Sequence, residues 1–268
     1  MLTTRVTIGD LDIDRVTQHE ALCAVDALIR AGRGGFVVTP NIDHIVQARR
    51  DGRLRQAYSR ASLSLADGQP LLWMARALGA PLPEKVSGSD FIAPLMAYAA
   101  SNLRRVFFFG ATPQVSAEAE RRLVGRYPPL QVVGRDCSNW CPGVTESPYG
   151  SDVVRRIRDC GADLVVVALG SPKQEKWMAQ YERVLAPAVA IGVGGSLDFV
   201  AGAVRRAPRW MSGAGLEWLF RLSQDPRRLA YRYLVRDMDI LAIFAGDLYR
   251  TAVRRQQAIP STGREARF

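Results

Sequence analysis

The chain has 268 residues, of which 48% are hydrophobic and 23% are charged. This length and composition exclude a disordered protein and predict one large domain, or one domain with an extension. No stretch reaches the roughly 20 apolar residues that span a bilayer, and the N-terminus lacks the basic-then-apolar pattern of a signal peptide. We therefore expect a cytoplasmic protein.

The formal net charge of +10 is unevenly distributed. From residue 205 onward the chain holds 13 arginines, no lysine and six acidic residues, a net charge of +7, whereas the residues before it carry only +3. A basic C-terminal part on a nearly neutral body indicates an anionic partner: a phosphate-bearing substrate, an anionic membrane surface or a nucleic acid. The change in composition predicts a core over residues 1–204 and an arginine-rich helical appendage over 205–268.

Six short β-branched or aromatic runs end in glycine or polar residues and lead into helical patterns, which is typical of parallel βα units. They are FVVTPN (36–41), LSLADG (63–68), RVFFFGAT (105–112), QVVG (131–134), ADLVVVALG (162–170) and AVAIGVGG (188–195). Gly79 is predicted to end the helix after the second run, and Pro113 to begin the helix after the third. The sequence thus predicts an α/β, Rossmann-like fold, with a mostly parallel sheet covered by helices on both faces.

Ligands of such sheets bind beyond the carboxyl ends of the strands. Five polar or glycine-rich strand exits are predicted to converge on one cleft: Thr39-Pro40-Asn41, Ala66-Asp67-Gly68, Gly110-Ala111-Thr112, Gly170-Ser171-Pro172 and Gly192 to Ser196.

Two of these exits leave alternatives open. Asp67 directly follows its strand, where a lone carboxylate serves either as a general base or as a helix N-cap. The loop GVGGSLDFVAG (192–202) lacks the third glycine of a dinucleotide fingerprint, so its N–H groups either contact a phosphate or form a structural turn.

Metal and disulfide sites are disfavoured. The acidic segments DLDID (10–14) and DMD (237–239) are interpreted as structural, with Asp14 as a helix cap or turn residue. The CSNWC spacing (137–141) has no second Cys/His pair nearby, which favours loop cysteines over zinc. Four cysteines are expected to be free thiols: Cys23, Cys137, Cys141 and Cys160.

The C-terminal part reads as helices. SGAGLEWLFRLSQ (212–224) predicts one, and residues 225–257 predict a second that Asp225 caps and Pro226 opens. Within the second, Arg228, Arg232 and Arg236 lie four apart on one face. The apolar residues of both helices face either the core or a lipid surface, and the core is the default.

Taken in order, six segments make residues 36–233 resemble the WecG/TagA/CpsF family of bacterial glycosyltransferases. The segments are VTPNIDHI, LADGQPLLWMARALGAPLPEKVSGSD, VFFFGAT, LVVVALGSPKQEKWM, AIGVGGSLDFVAGAVRRAPRWM and GLEWLFRLSQDPRRLAYRY. The resemblance implies an inverting, metal-independent enzyme without a cofactor. Such an enzyme moves a sugar from a nucleotide-diphosphate donor, such as an N-acetylmannosamine or other hexose donor, to a polyprenyl-pyrophosphate-linked saccharide in cell-surface polysaccharide synthesis. It also implies peripheral attachment to the cytoplasmic face of the plasma membrane, and self-association of the core.

Carried onto this sequence, the resemblance assigns Asp67 as the general base and places Thr39 and Gln174 in the donor pocket. Lys85 stands where relatives often have arginine, which keeps the charge but loses the bidentate fork. Further donor-pocket candidates lie at the strand exits: Asn41, Gly110, Thr112, Gly192, Gly194, Gly195 and Asp198. The candidate diphosphate or acceptor ligands are Lys85, Arg221, Arg228 and Arg232.

Two other functions are disfavoured. A nucleic-acid-binding protein would use the basic C-terminal helices, but no recognised nucleic-acid motif occurs and the body is nearly neutral. An oxidoreductase on a similar core would need the glycine fingerprint that this loop lacks.

Overall fold

The computed structural model describes residues 4–138 and 148–257. Its centre is a six-stranded parallel sheet of order β4-β3-β8-β7-β5-β6, and a separate antiparallel hairpin joins β1 to β2. The strands are β1 (Arg5–Ile8), β2 (Leu11–Asp14), β3 (Gly35–Val38), β4 (Leu63–Ser64), β5 (Arg105–Gly110), β6 (Gln131–Asp136), β7 (Leu164–Ala168) and β8 (Val189–Gly192).

Helices cover both faces of the sheet, which confirms the predicted fold class. The helices are α1 (Gln18–Ala31), α2 (Ile42–Arg50), α3 (Gly52–Arg60), α4 (Gln69–Ala77), α5 (Gly88–Ser101), α6 (Pro113–Arg126), α7 (Pro148–Asp159), α8 (Lys173–Leu185), α9 (Ser196–Ala201), α10 (Arg209–Gly213), α11 (Glu217–Gln224), α12 (Pro226–Leu234) and α13 (Asp239–Gln257), with a 3-10 turn at Arg236–Met238.

The sheet separates two hydrophobic cores. Strand β7 shows the alternation: Val165 and Val167 contribute to one core, whereas Leu164 and Val166 contribute to the other. All four are fully buried, as expected for a central parallel strand. The buried valine run that ends at Gly170 is therefore the middle of the sheet.

Each of the six predicted strand segments forms one strand of this sheet. The helix signals are confirmed as well: Gly79 follows α4 with a φ of +80°, and Pro113 is the first residue of α6. The prediction for Asp14 was wrong. Asp14 ends β2, and its buried carboxylate accepts hydrogen bonds from Arg5 Nε at 2.9 Å and from the backbone N–H of Ser64 at 2.8 Å. Thr17 caps α1 instead.

The prediction of one helix over residues 225–257 was also wrong. The chain leaves helical geometry at Val235, so α12 and α13 are separated by the 3-10 turn. This break lets Arg232 and Arg236, which lie on opposite sides of it, reach the same carboxylate of Asp43 in α2.

The C-terminal helices pack on the core. Ile240 and Ile243 of α13 are buried in the same hydrophobic core as Ile45 of α2. The N–H of Gly9, in the turn between β1 and β2, donates to Asp247 Oδ2 at 2.7 Å. Gly9 has a φ of +61°, and a Cβ atom there would lie 2.7 Å from Ile45 Cγ2, so both backbone and space require glycine. The division into a core of residues 1–204 and an appendage of 205–268 stays a prediction, and residues 258–268 lie outside the described part.

Candidate active site

Four of the five predicted strand exits meet in a cleft of about 580 Å³. Thr39 and Asn41 come from the end of β3, and Asp67 follows β4. Two further exits line the cleft with Gly170 and Ser171 after β7, and with Val193, Gly194, Gly195 and Ser196 after β8. Residues of α11 and α12 close the remaining side: Arg221, Gln224, Leu229, Arg232 and Tyr233.

The fifth exit lies outside the lining of this cleft, and its residues Gly110 and Thr112 make contacts that support the fold. The Thr112 side chain caps α6 by accepting from the N–H of Val115. Gly110 has a φ of +95°, and a Cβ atom there would lie 2.6 Å from the carbonyl oxygen of Ala168. The close approach of two neighbouring strand ends therefore explains this glycine.

The carboxyl group of Asp67 is available for chemistry. Its backbone N–H donates to the carbonyl oxygen of Pro40 at 2.9 Å, which fixes the residue beside the end of β3. Gly68, with a φ of +117°, takes the N-cap position of α4, so the carboxylate is not used for capping. Within residues 4–138 and 148–257, no hydrogen bond to the Asp67 carboxylate is found.

Burial raises the pKa of Asp67 above its usual value of 3.8. The positive charge of Arg221 opposes this shift, and the negative charge of Glu217 adds to it. A carboxylate with a raised pKa is a stronger base than an exposed aspartate, which suits a group that must take a proton.

Asp67 also lines a second cavity, of about 350 Å³. Apolar side chains from α2, α4, α11, α12 and α13 form much of its wall: Ile42, Pro70, Trp218, Leu234 and Ile240. Lys85 lies in this wall and pairs with Asp90 at 2.8 Å and with Glu217 at 3.7 Å. Six residues line both cavities: Asn41, Asp43, Asp67, Arg221, Arg232 and Tyr233. Asp67 therefore stands at the boundary between a polar cleft and a more apolar one.

The C-terminal helices bring arginines to this boundary. Arg221 pairs with Glu217 at 2.8 Å and lies over the ring of Phe199 at 5.0 Å, while its buried Nε–H has no hydrogen-bond partner among the residues that the structure describes. Arg232 Nη2 lies 3.2 Å from Asp43 Oδ2. The structure describes the backbone of Arg228 but not its side chain, so its predicted role stays a prediction.

Gln174 lies beneath the glycine loop and is only 1% exposed. Its Oε1 accepts from the N–H of Gly194 at 2.9 Å, and its Nε2 donates to Glu175 Oε1 at 2.8 Å. A Cβ atom on Gly192 would lie 2.9 Å from the same Nε2, so the loop backbone rests directly on this amide. Gln174 thus holds the loop in place.

Most N–H groups of the glycine loop have acceptors within the protein. Val193 donates to the carbonyl of Val167, Gly194 to Gln174, and Ser196 to the carbonyl of Val193. Thr39 Oγ1 donates to the carbonyl oxygen of Gly192 at 3.1 Å. Of the two interpretations of this loop, a structural turn therefore fits the N–H of Gly194 better than a phosphate contact. Gly195 and Asp198 line the cleft itself.

Asp43 and His44 also line the cleft, although the sequence pattern predicted no role for them. Both lie in the first turn of α2, whose N-cap Asn41 accepts from the N–H of His44 at 3.3 Å. Their position three residues or fewer after a predicted strand exit was the signal that could have found them. Among the described residues no group of three or more His, Cys, Asp or Glu side chains is arranged to hold a metal ion. Cys23, Cys137 and Cys160 are free thiols, and Cys141 lies outside the described residues.

Comparison with known proteins identifies the chain. The family model of the glycosyl transferase WecG/TagA/CpsF family matches residues 6–256. The chain belongs to this family. Its predicted resemblance to the WecG/TagA/CpsF family is therefore confirmed, and the chain is a glycosyltransferase.

Two curated relatives of the chain carry the same name, N-acetylglucosaminyldiphosphoundecaprenol N-acetyl-beta-D-mannosaminyltransferase. The protein from Bacillus spizizenii is 33% identical over 196 residues, covering 73% of this chain and 74% of that one. The protein from Bacillus subtilis is 31% identical over 195 residues, covering 73% of each. A solved chain from Burkholderia cenocepacia J2315 aligns over 85% of this chain and 97% of its own at 19% identity, but its TM-score of 0.25 is too low to bear on fold or function.

No helix in residues 4–138 or 148–257 is both long enough and apolar enough to cross a membrane.

Proposed function

We propose that this enzyme transfers an N-acetylmannosamine-type hexose from a nucleotide-diphosphate donor to N-acetylglucosamine linked through diphosphate to undecaprenol or a similar polyprenol. The names of the two Bacillus relatives support this acceptor and this sugar. The observation that carries the proposal is the position of Asp67 on the boundary between a polar and a more apolar cavity. A base between two substrate sites takes the proton from one substrate as that substrate attacks the other.

The proposed reaction is a single displacement with inversion at the anomeric carbon. The acceptor hydroxyl forms a bond to that carbon, its proton passes to the Asp67 carboxylate, and the bond to the donor diphosphate breaks. Because Asp67 has a raised pKa and no hydrogen-bond partner among the described residues, it is suited to this transfer. A positioned base contributes about 10²- to 10⁴-fold to such a rate.

Cationic side chains are proposed to stabilise the leaving diphosphate without a divalent metal. Arg221 lines both cavities and has a buried Nε–H with no acceptor in residues 4–138 and 148–257, so it offers a donor at the boundary where Asp67 lies. Arg232 and Lys85 add positive charge to the second cavity, although each pairs with carboxylates. Fixed charges in a site that excludes water are worth several kcal/mol to a transition state.

The C-terminal helices are proposed to place the enzyme on the anionic cytoplasmic face of the plasma membrane. They expose large apolar side chains beside arginines: Tyr231 (68% exposed), Leu234 (59%), Val235 (55%), Met238 (51%), Leu241 (60%) and Tyr249 (72%). A lipid surface would cover such groups, and each nearby arginine contributes about 1 kcal/mol of attraction to anionic headgroups. Residues 205–268 would then act as a membrane-contacting appendage. Self-association of the core stays a prediction from the family resemblance.

One assay tests the reaction. The protein is incubated with radiolabelled UDP-N-acetylmannosamine and a short-chain polyprenyl-diphosphate N-acetylglucosamine, with and without EDTA, and the anomeric configuration of the product is determined by NMR. We expect an inverted product and equal turnover in both conditions. Loss of all turnover in EDTA would contradict the metal-free mechanism, and a retained configuration would contradict the single displacement.

The role of the C-terminal helices is tested by a chain ending at residue 204. We expect it to lose both transfer and sedimentation with vesicles that contain anionic phospholipid. Circular dichroism shows whether the shortened chain stays folded. If the folded shortened chain kept both properties, the appendage would have neither proposed role.

A further inference from the structure

A chain of buried polar side chains runs beneath the cleft from His44 to the glycine loop. The hydroxyl of Tyr58 lies 2.8 Å from His44 Nδ1 and 3.5 Å from Glu175 Oε1. The same Oε1 accepts from Gln174 Nε2, and Gln174 Oε1 accepts from Gly194 N–H. Tyr58 and Glu175 are 3% and 0% exposed, so both side chains lie in the protein interior.

With Glu175 ionised, one arrangement of protons gives each contact a hydrogen. The Glu175 carboxylate can only accept, so both Gln174 and Tyr58 must donate to it. The oxygen of Tyr58 then accepts from His44, which requires the proton on Nδ1. Burial raises the pKa of Tyr58 well above 10, and the charge of Glu175 raises it further, so the hydroxyl keeps the proton that it donates.

His44 lies in the wall of the cleft. It is 8% exposed and lines the 580 Å³ cleft together with Asp67. Its Nδ1 is engaged by Tyr58, while Nε2 makes no hydrogen bond within the part of the chain that the structure describes. In a neutral ring with its proton on Nδ1, Nε2 is a bare hydrogen-bond acceptor.

We infer that Glu175 and Tyr58 are positioning residues that hold His44 in the Nδ1–H tautomer, so that His44 Nε2 accepts a hydrogen bond from a sugar hydroxyl of the substrate. The inference rests on the proposed function for the identity of that hydroxyl, which belongs to either the donor sugar or the acceptor sugar. A buried carboxylate costs free energy that a neutral side chain would not. Its effect here is to impose one direction on hydrogen bonds that an amide could reverse.

The tautomer is measured without any substrate. The chain has only two histidines, and His19 is exposed, so His19→Gln leaves a single imidazole whose ring nitrogens can be assigned by ¹⁵N NMR. At about pH 8, where an unperturbed imidazole is neutral, we expect a protonated Nδ1 and a bare Nε2. An Nε2–H tautomer or an imidazolium would overturn the inference.

Variants test the relay. Tyr58→Phe removes the partner of Nδ1, and Glu175→Gln removes the carboxylate that directs Tyr58, so both are expected to shift the tautomer toward Nε2–H. Tyr98→Phe is the matched control, because Tyr98 also donates to a carboxylate, that of Asp26, but lies outside the residues that line the cleft. If neither relay variant moved the tautomer in a folded protein, Glu175 and Tyr58 would not be positioning residues.

Transfer assays identify the hydroxyl. His44→Gln keeps an acceptor oxygen and is expected to retain more activity than His44→Leu, which should lose roughly 5- to 10-fold, the effect of one hydrogen bond. A rise in KM for UDP-N-acetylmannosamine alone assigns the contact to the donor, and a rise for the polyprenyl-linked acceptor alone assigns it to the acceptor. Equal activity of the two variants would overturn the contact. If the wild type transferred no sugar at all, the proposed function would fail while the tautomer result stood.

Discussion

Replacing Asp67 by asparagine keeps the size of the side chain at the exit of β4 and removes its ability to take a proton. Within the described residues no hydrogen bond to this carboxylate is found, so the substitution breaks no contact of that kind. The expected loss is therefore that of the general base alone, about 10²- to 10⁴-fold in kcat. Initial rates with saturating nucleotide sugar and acceptor measure it.

The raised pKa of Asp67 gives the same prediction a pH signature. Protonation of the carboxylate removes the base, so the wild-type rate should fall as the pH drops through a value above the usual 3.8. In Asp67→Asn this acid limb should be absent from the pH profile of the residual activity, because no group at position 67 titrates.

The Asp67→Asn substitution should lower activity without lowering the thermal stability of the protein. A carboxylate whose pKa is higher in the folded state than in the unfolded state binds its proton more tightly when folded. Its contribution to stability is thus most favourable below 3.8 and is lost as the pH rises through the folded pKa. At neutral pH Asp67→Asn removes a half-buried charge, so its Tm should equal or exceed that of the wild type.

Asp159→Asn is the matched control. Asp159 is exposed at the end of α7 and outside both cavities, so its replacement should change neither the rate nor the pH profile. Unchanged turnover in Asp67→Asn, or a loss of activity that simply follows a lower Tm, would refute the assignment of Asp67 as the base.

Three further predictions follow from described contacts. Gln174→Ala leaves buried hydrogen-bonding groups unpaired, so it should lower the free energy of unfolding by about 1–3 kcal/mol and reduce transfer while circular dichroism shows a folded protein. Burial and a neighbouring carboxylate raise the pKa of Asp237 to about 6, so its charge costs stability above about pH 6. Asp237→Asn should therefore raise Tm at about pH 8, with a difference that shrinks as the pH falls toward 3.8, and a constant difference would contradict this. Gly9→Ala places a Cβ atom 2.7 Å from Ile45 Cγ2 at a positive φ and should destabilise by about 1–3 kcal/mol in urea unfolding, whereas Gly52→Ala, with open space around it, should not.

The sheet was predictable because each strand is a short apolar run that ends at a glycine or polar residue. The β1–β2 hairpin was not predicted, because its strands have four residues each and the acidic LDID segment looks like a turn. Its Asp14 is buried and accepts hydrogen bonds from Arg5 and from the Ser64 backbone, and Ser64 lies 50 residues away. Local pattern carries no signal for such a partner.

The cleft was predictable from strand exits, and the exception shows the limit of that rule. Gly110 and Thr112 follow β5 like the residues of the other exits, but a helix cap and a close strand contact use them instead. The burial of Gln174 likewise depends on a part of the chain distant in sequence, the glycine loop that lies against its side chain. Tyr58, which completes the buried chain, lies 117 residues from Glu175, so only the folded structure brings them together.

The hydrogen bond from Gly9 to Asp247 joins positions 238 residues apart, and α13 packs on α2, which carries Asp43 and His44. During synthesis the β1–β2 hairpin therefore leaves the ribosome long before α13, which completes its packing, has been made. A nascent chain that ends before α11 already contains Asp67 but lacks Arg221 and the other residues of α11 and α12 that line one side of the cleft. The order of synthesis thus leaves the cleft open on this side until the basic helices have been made.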